Sequence, residues 1–294
     1  MTPPRRAAVL GHPVAHSLSP TLHTAAYQAL GLDGWQYTPI DTTAEDLPGF
    51  LREVDLTWAG LSVTMPLKQA VIPLMDHVEP LAQVVGAVNT VLVQPATCGI
   101  TLVGANTDVH GLVAALRENL GSGPVEGAVV LGAGATAAST LAALAELGCT
   151  SPLVLVRSIG RTVALNEAAH RMGVTPRYEV LDAVAGLGPL RQADVVVSTM
   201  PAHAADPVAN SIAAHGVAVA GVLLDVVYDP RPTALGMAWA DAGGSVVGGE
   251  RMLLHQAAEQ VRLMTGRPAP LAAMDEALDR ALALGDPTAS PTQP

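Results

Sequence analysis

A chain of 294 residues that is 50% apolar can bury the cores of two modest domains or one large one. Its formal net charge of -11 and scattered arginines exclude a polyanionic partner, because nucleic acid demands clustered Lys and Arg. The opening MTPPRRAAVLG lacks the long apolar core of a signal peptide, and Cys98 and Cys149 are too far apart for a metal-ligand spacing, so a reducing cytoplasm and two inert, buried cysteines are expected.

In chain order, β-branched runs predict strands at 7–10, 35–40, 58–63 and 87–93, with helices over 20–30 and 67–75 between them. This alternation predicts βαβ units and a mainly parallel sheet. Between the first strand and helix, GHPVAHSLSP carries Ser17 and Ser19 two residues apart, so in an extended loop both hydroxyls face one way and suit a carboxylate. The simpler alternative is that Ser19 caps the helix that starts at Pro20.

The segment LSVTMPLKQAV, 61–71, holds Lys68, the one lysine among the 15 Lys+Arg residues. Where only charge matters arginine serves as well, but arginine keeps its proton in a protein, whereas a lysine can release one when its site depresses a free pKa of about 10.4. Lys68 is therefore a candidate acid/base group. Next come GAVNT with Asn89 and GANTD with Asp108, just ahead of a helix predicted over 109–119. Asp108 fits either a helix cap or a carboxylate that orients an amine and a substrate hydroxyl, and with Asn89 it could hold a polyhydroxylated ring.

Residues 127–145 carry no charge, yet they read as a strand, a glycine turn and an alanine-rich helix and not as a membrane span. The turn is Gly132-Ala133-Gly134-Ala135-Thr136-Ala137, a G-x-G-x-x-A dinucleotide fingerprint. Gly132 allows the tight turn, Gly134 admits a pyrophosphate to the backbone, and Ala137 lets the helix pack on the strand. Further strands are predicted at 129–131, 153–156, 195–198 and 223–227. The strand at 153–156 ends in Arg157 and Ser158, with Arg161 close behind and no acid to receive ribose hydroxyls, which favours the 2'-phosphate of NADP. Helices over 249–265 and 271–284 follow, and the Pro/Ser/Thr-rich 285–294 is expected to be disordered.

HSLSP, SVTMPLK, GAVNT, NTDVHG, GAGATA, DVVYDP and ERMLLHQA, in that order, resemble the shikimate dehydrogenase family over about residues 7–284. The resemblance implies two α/β domains with a cleft between them. One is an N-terminal substrate domain with a mixed sheet, 1–105 plus 240–284, and the other a Rossmann-like NADP-binding domain, 106–239. It also implies reversible NADPH-dependent reduction of 3-dehydroshikimate to shikimate, a step toward aromatic amino acids, with no metal and as monomer or homodimer. Ser17 and Ser19 would bind the substrate carboxylate with Tyr228 nearby. Thr64, Asn89, Asp108 and Gln256 would contact ring hydroxyls, and Lys68 would be the acid/base residue with Asp108 its partner.

Four positions depart from the family pattern. Ser62 and Thr24 each stand for Asn, which bears on substrate affinity; Ala135 replaces a frequent glycine; Val156 replaces the Asn of an Asn-Arg-Thr/Ser triplet, which removes an adenosine-side hydrogen bond and weakens the preference for NADP. A quinate/shikimate dehydrogenase using NAD is the second reading, opposed by Arg157 and the absent acid. A ligand sensor without turnover is the third, opposed by the presence of both Lys68 and Asp108.

Overall fold

The computed structural model describes residues 4–285, which divide into two compact units. The first comprises residues up to 79, 88–107 and those from 256; the second comprises 80–87 and 108–255.

The chain begins β1 (Arg6–Gly11), α1 (Ser19–Ala29), β2 (Gln36–Asp41), α2 (Leu47–Arg52), β3 (Trp58–Val63), α3 (Leu67–Ala70), β4 (His77–Val78), α4 (Pro80–Val85), β5 (Thr90–Pro95) and β6 (Ile100–Ala105). The first unit's sheet runs β2-β1-β3-β5-β6-β4. β1 lies parallel to β2 and β3, whereas β5 is antiparallel to both β3 and β6, because a short turn joins β5 to β6 and a tight hairpin can only connect antiparallel strands. The expected mixed sheet is therefore present: β5 runs opposite to the other strands, and β4 pairs parallel with β6 at the far edge. Cys98 sits in that hairpin turn and is exposed, contrary to the buried cysteine expected; Cys149 is buried. The helix predicted over 67–75 splits into α3 and a 3-10 turn, Ile72–Leu74, since Pro73 has no N–H to continue the helical ladder.

After β6 the chain runs α5 (Asp108–Arg117), β7 (Ala128–Leu131), α6 (Ala135–Glu146), β8 (Leu153–Val156), α7 (Val163–Met172), β9 (Arg177–Val180), α8 (Leu187–Gln192), β10 (Val195–Ser198), α9 (Asp206–His215), β11 (Val222–Asp225), α10 (Ala234–Asp241), β12 (Ser245–Gly248), α11 (Gly249–Thr265) and α12 (Leu271–Gly285). The second unit is a parallel sheet in the order β12-β11-β10-β7-β8-β9, the doubly wound arrangement with its switch point between β7 and β10. Successive strand residues feed opposite layers: Val195 and Val197 pack with α5, α6 and α7, and Val196 packs with α8, α9 and α10.

Residues 240–255 were expected with the substrate domain. They stay in the second unit because Ser245–Gly248 pairs in register with Val222–Asp225, and the return to the first unit comes at Gln256, inside α11. Residues 80–87 also join the second unit, where Arg171 Nε donates to the Val84 carbonyl at 3.1 Å. The uncharged stretch 127–145 resolves into β7, a turn and α6, and no helix among the described residues is long and apolar enough to cross a membrane. Of the tail expected to be disordered, Gly285 ends α12 and 286–294 lie outside the described residues.

Candidate active site

In the first unit the motif residues gather at the ends of β1, β3, β5 and β6. Thr64 follows β3, its N–H bonded to the Leu10 carbonyl at 2.9 Å, and the neighbouring Gly11 is a close-approach glycine: a Cβ there would collide with Thr64 Cγ2. The serine loop is a turn and not an extended segment. Ser17 N–H donates to the Val14 carbonyl, Ser17 Oγ accepts the Ser19 N–H at 3.3 Å, and Ser19 is itself the buried first residue of α1. Ser17, and not Ser19, thus supplies the oxygen to the helix terminus. Both serines stay together at one end of α1, as a carboxylate site requires. Lys68 sits half-buried in α3, and its carbonyl accepts the Val88 N–H at 2.9 Å. Thr24 is exposed on α1.

Asn89 is the hub of this unit. It is 2% exposed; Oδ1 accepts the Thr107 N–H at 2.8 Å and the Thr90 hydroxyl at 2.9 Å, while Nδ2 donates to Thr107 Oγ1 at 2.9 Å and to Gln256 Oε1 at 3.4 Å. Two predicted substrate contacts, Asn89 and Gln256, are therefore joined directly. Thr107 is held one residue ahead of Asp108, which opens α5 and is 3% exposed. A carboxylate in a first helical turn faces the positive end of the helix dipole.

Behind Asn89 lies a polar network that sequence reasoning missed. Gln260 Nε2 donates to Thr90 Oγ1 at 3.0 Å and to the Asn89 carbonyl at 3.2 Å. Gln260 Oε1 accepts the Ser62 hydroxyl at 2.7 Å, Ser62 accepts from Tyr37 at 2.6 Å, and His23 Nε2 lies 3.2 Å from Gln260 Oε1. His23 stacks on Tyr37 with ring centroids 4.0 Å apart. Burial pushes the His23 pKa down to about 3 against the Gln260 hydrogen bond, so the ring is neutral, with Nε2–H donating to Gln260 and Nδ1 accepting from Tyr27 at 3.2 Å. Burial also raises the Tyr37 hydroxyl, opposed by hydrogen bonds with Ser62 and Ser19. One signal was legible in the sequence: Gln260 stands four residues after Gln256, on the same helix face.

In the second unit the glycine turn has the geometry a dinucleotide needs. Gly132 has φ +109°, and a Cβ there would lie 2.6 Å from Thr199 Oγ1, whose hydroxyl donates to the Leu131 carbonyl at 2.9 Å. Among the described residues a Cβ at Gly134 would meet nothing within 4 Å, so the backbone there faces open space at the N-terminus of α6, and none of their side chains caps that terminus. Ala135 opens α6 and Ala137 is fully buried on it. Arg157, Ser158 and Arg161 are exposed beside the end of β8, and Val156 is buried within it. These donors, with no acid at the strand end, fit a dinucleotide carrying a 2'-phosphate.

Tyr228 lies in the loop after β11. Asp225 anchors that loop by accepting the Thr233 hydroxyl at 2.9 Å and the Val227 N–H at 3.4 Å. Burial raises the Asp225 carboxyl above its usual range, against those hydrogen bonds, and burial with the adjacent Asp229 raises the Tyr228 hydroxyl. Among the described residues no group of three or more His, Cys, Asp or Glu is placed to hold a metal ion.

Comparison with known proteins adds a relationship to this geometry. A family model described as the shikimate dehydrogenase substrate binding domain matches residues 9–91, and one described as the shikimate 5'-dehydrogenase C-terminal domain matches 249–278. An NADP(+) shikimate dehydrogenase of Thermus thermophilus is 38% identical over 94% of this chain and 98% of its own. Among solved structures, Mycobacterium tuberculosis shikimate dehydrogenase is 41% identical with a TM-score of 0.82, covering 94% of this chain and 100% of that one. The enzyme from another Thermus thermophilus strain, solved in complex with NADP(H) and shikimate, is 36% identical with a TM-score of 0.78, covering 94% and 99%.

Proposed function

The chain belongs to the shikimate dehydrogenase family, and we propose that Lys68 and Asp108 are the acid-base pair through which it interconverts 3-dehydroshikimate and shikimate. It is an NADP-dependent oxidoreductase of that type. The bound dinucleotide supplies the hydride in the reducing direction. Lys68 as ammonium then donates a proton to the oxygen of the carbonyl being reduced, stabilising the developing alkoxide before and during transfer. In the oxidising direction the neutral amine takes the hydroxyl proton as hydride leaves the same carbon. Asp108 orients the amine. Ser17 and Ser19 hold the ring carboxylate, with Tyr228 beside it, and Thr64, Asn89, Asp108 and Gln256 hold ring hydroxyls. Gly132, Gly134, Ala135 and Ala137 shape the pyrophosphate turn, while Arg157, Ser158 and Arg161 bind the 2'-phosphate.

The observation that carries this reading is the position of Asn89. Its backbone follows Val88, which is bonded to the Lys68 carbonyl, and its side chain grips Thr107, the residue before Asp108. Two consecutive residues, Val88 through its N–H and Asn89 through its side chain, therefore hold the backbone at Lys68 and next to Asp108. Steady-state oxidation of shikimate with NADP and NAD side by side is the test. Lys68→Arg keeps the positive charge but cannot release its proton, so kcat should fall about 10²–10⁴-fold with shikimate KM little changed. Full turnover in Lys68→Arg would reduce Lys68 to electrostatics, and faster turnover with NAD would overturn the cofactor assignment.

A further inference from the structure

An asparagine amide can rotate by 180° with almost no change of shape, exchanging a donor for an acceptor, so its neighbours must decide which face it presents. At Asn89 one neighbour is fixed, because the Thr107 N–H at 2.8 Å can only donate to Oδ1. The other, the Thr90 hydroxyl, can turn either way. What turns it is Gln260, whose Nε2 donates to Thr90 Oγ1 at 3.0 Å and so directs the Thr90 hydrogen onto Asn89 Oδ1 at 2.9 Å.

The sense of Gln260 is fixed in turn. Its NH2 also faces the Asn89 main-chain carbonyl, which can only accept, and its Oε1 receives the hydroxyl hydrogen of Ser62. Neutral His23 and the donation from Tyr37 to Ser62 complete a one-way sequence of donors. Gln260 is 1% exposed and Thr90 is fully buried, so water does not compete for these bonds.

We propose that Gln260, acting through Thr90, is a positioning residue that keeps the Asn89 NH2 turned toward Gln256, so that the N–H that meets Gln256 Oε1 at 3.4 Å, the other being held by Thr107 Oγ1, is the one offered to a ring hydroxyl oxygen of the substrate. The proposal rests on the reading of Asn89 as a substrate contact. Gln260 itself touches neither substrate nor cofactor in this scheme.

The test uses Gln260→Met and Thr90→Val, both close in volume to the native residues, with their double mutant, Thr90→Ser and Asn89→Ala. Folding is checked by circular dichroism. Gln260→Met and Thr90→Val should each raise shikimate KM about tenfold, which corresponds to ~1.4 kcal/mol, with kcat and NADP KM within about twofold of wild type. The double mutant should be no worse than the more impaired single mutant, since both cut one relay. Thr90→Ser keeps the hydroxyl and should restore most of the affinity. Additive effects in the double mutant, or unchanged KM in folded Thr90→Val while Asn89→Ala raises it, would overturn the relay alone. Unchanged KM in Asn89→Ala would instead remove the substrate-contact reading and the relay's role with it. Thr90→Val is nearly isosteric, so the test stands even if Gln260→Met does not fold.

Discussion

Two glycines in one turn should fail in different ways. At Gly132 an alanine must adopt φ +109° and place a methyl 2.6 Å from Thr199 Oγ1, where ordinary contact begins at 3.4 Å. The left-handed backbone costs about 1–2 kcal/mol, and displacing Thr199 gives up its bond to the Leu131 carbonyl, worth roughly 1 kcal/mol. A loss of about 2–3 kcal/mol, at roughly 2–4 °C each for a protein of this size, lowers Tm by about 4–12 °C. At Gly134 the backbone is extended, φ −85° and ψ −171°, and a methyl meets nothing. Gly134→Ala should keep Tm within about 2 °C while raising NADP KM about tenfold, because only an approaching pyrophosphate would feel the methyl. Thermal melts followed by NADP titration of initial rates separate the two. Adding Thr199→Ala to Gly132→Ala should cost little more than Gly132→Ala alone, since the single mutant has already given up the Thr199–Leu131 bond. A wild-type NADP KM in Gly134→Ala would refute the placement of the pyrophosphate at this turn, and a wild-type Tm in Gly132→Ala would refute the strain argument.

Arg157→Ala should raise NADP KM about tenfold or more and leave NAD KM little changed, since only the 2'-phosphate needs the guanidinium; equal changes for both cofactors would show that Arg157 does not read that phosphate. Asp108→Asn keeps the shape of the buried carboxylate and removes its charge, so kcat should drop about 10²-fold or more in shikimate oxidation, and normal turnover would separate Asp108 from the proton path. His23 has a folded pKa near 3 against 6.5 ordinarily, so between these values the unfolded chain binds a proton that the folded one does not. Its contribution to stability is complete above about pH 6.5 and falls as pH drops toward 3, by up to ~1.4 kcal/mol per pH unit. Denaturant melts at pH 5 and pH 7 should show a shallower dependence in His23→Gln, which removes the titration, and identical slopes would contradict a neutral buried imidazole.

Much of the second unit could be read from the chain, because a parallel sheet covered on both sides needs continuous apolar strands, and AVVL, LVLV, VVVS and VLLD are such runs. The edge strand SVVG escaped notice: it is short, its first two residues are exposed, and its pairing with β11 is a tertiary fact. The same omission put the domain return at 240 and not at Gln256. In the first unit the alternating rhythm shows in the parallel pairings of β1 with β2 and β3 and of β4 with β6, and the β5–β6 hairpin reverses one strand to give the mixed sheet the resemblance implies. The glycine fingerprint was local and therefore legible. The network behind Asn89 was not, because Tyr37, Ser62, Thr90 and Gln260 come from β2, β3, β5 and α11, and each alone is an ordinary polar residue.

Ser62 shows what such a network does to the meaning of a substitution. In SVTMPLK, Ser62 replaces the family's Asn, a substitution that bears on substrate affinity. In the structure Ser62 is buried between the Tyr37 hydroxyl and Gln260 Oε1, where it accepts from one and donates to the other. A hydroxyl can do both with a single atom, whereas an amide in that position would present an oxygen and a nitrogen at fixed separation and require Gln260 to move or turn. Serine at 62 and glutamine at 260 are thus matched to each other, and Ser62 is linked to the proposed substrate contacts by two routes, through Gln260 and Thr90 to Asn89 and through Tyr37 to Ser19. Exchange at position 62 alone should consequently harm more than exchange at 62 and 260 together, since the pair, and not either residue, is the unit that sets the orientation of the site.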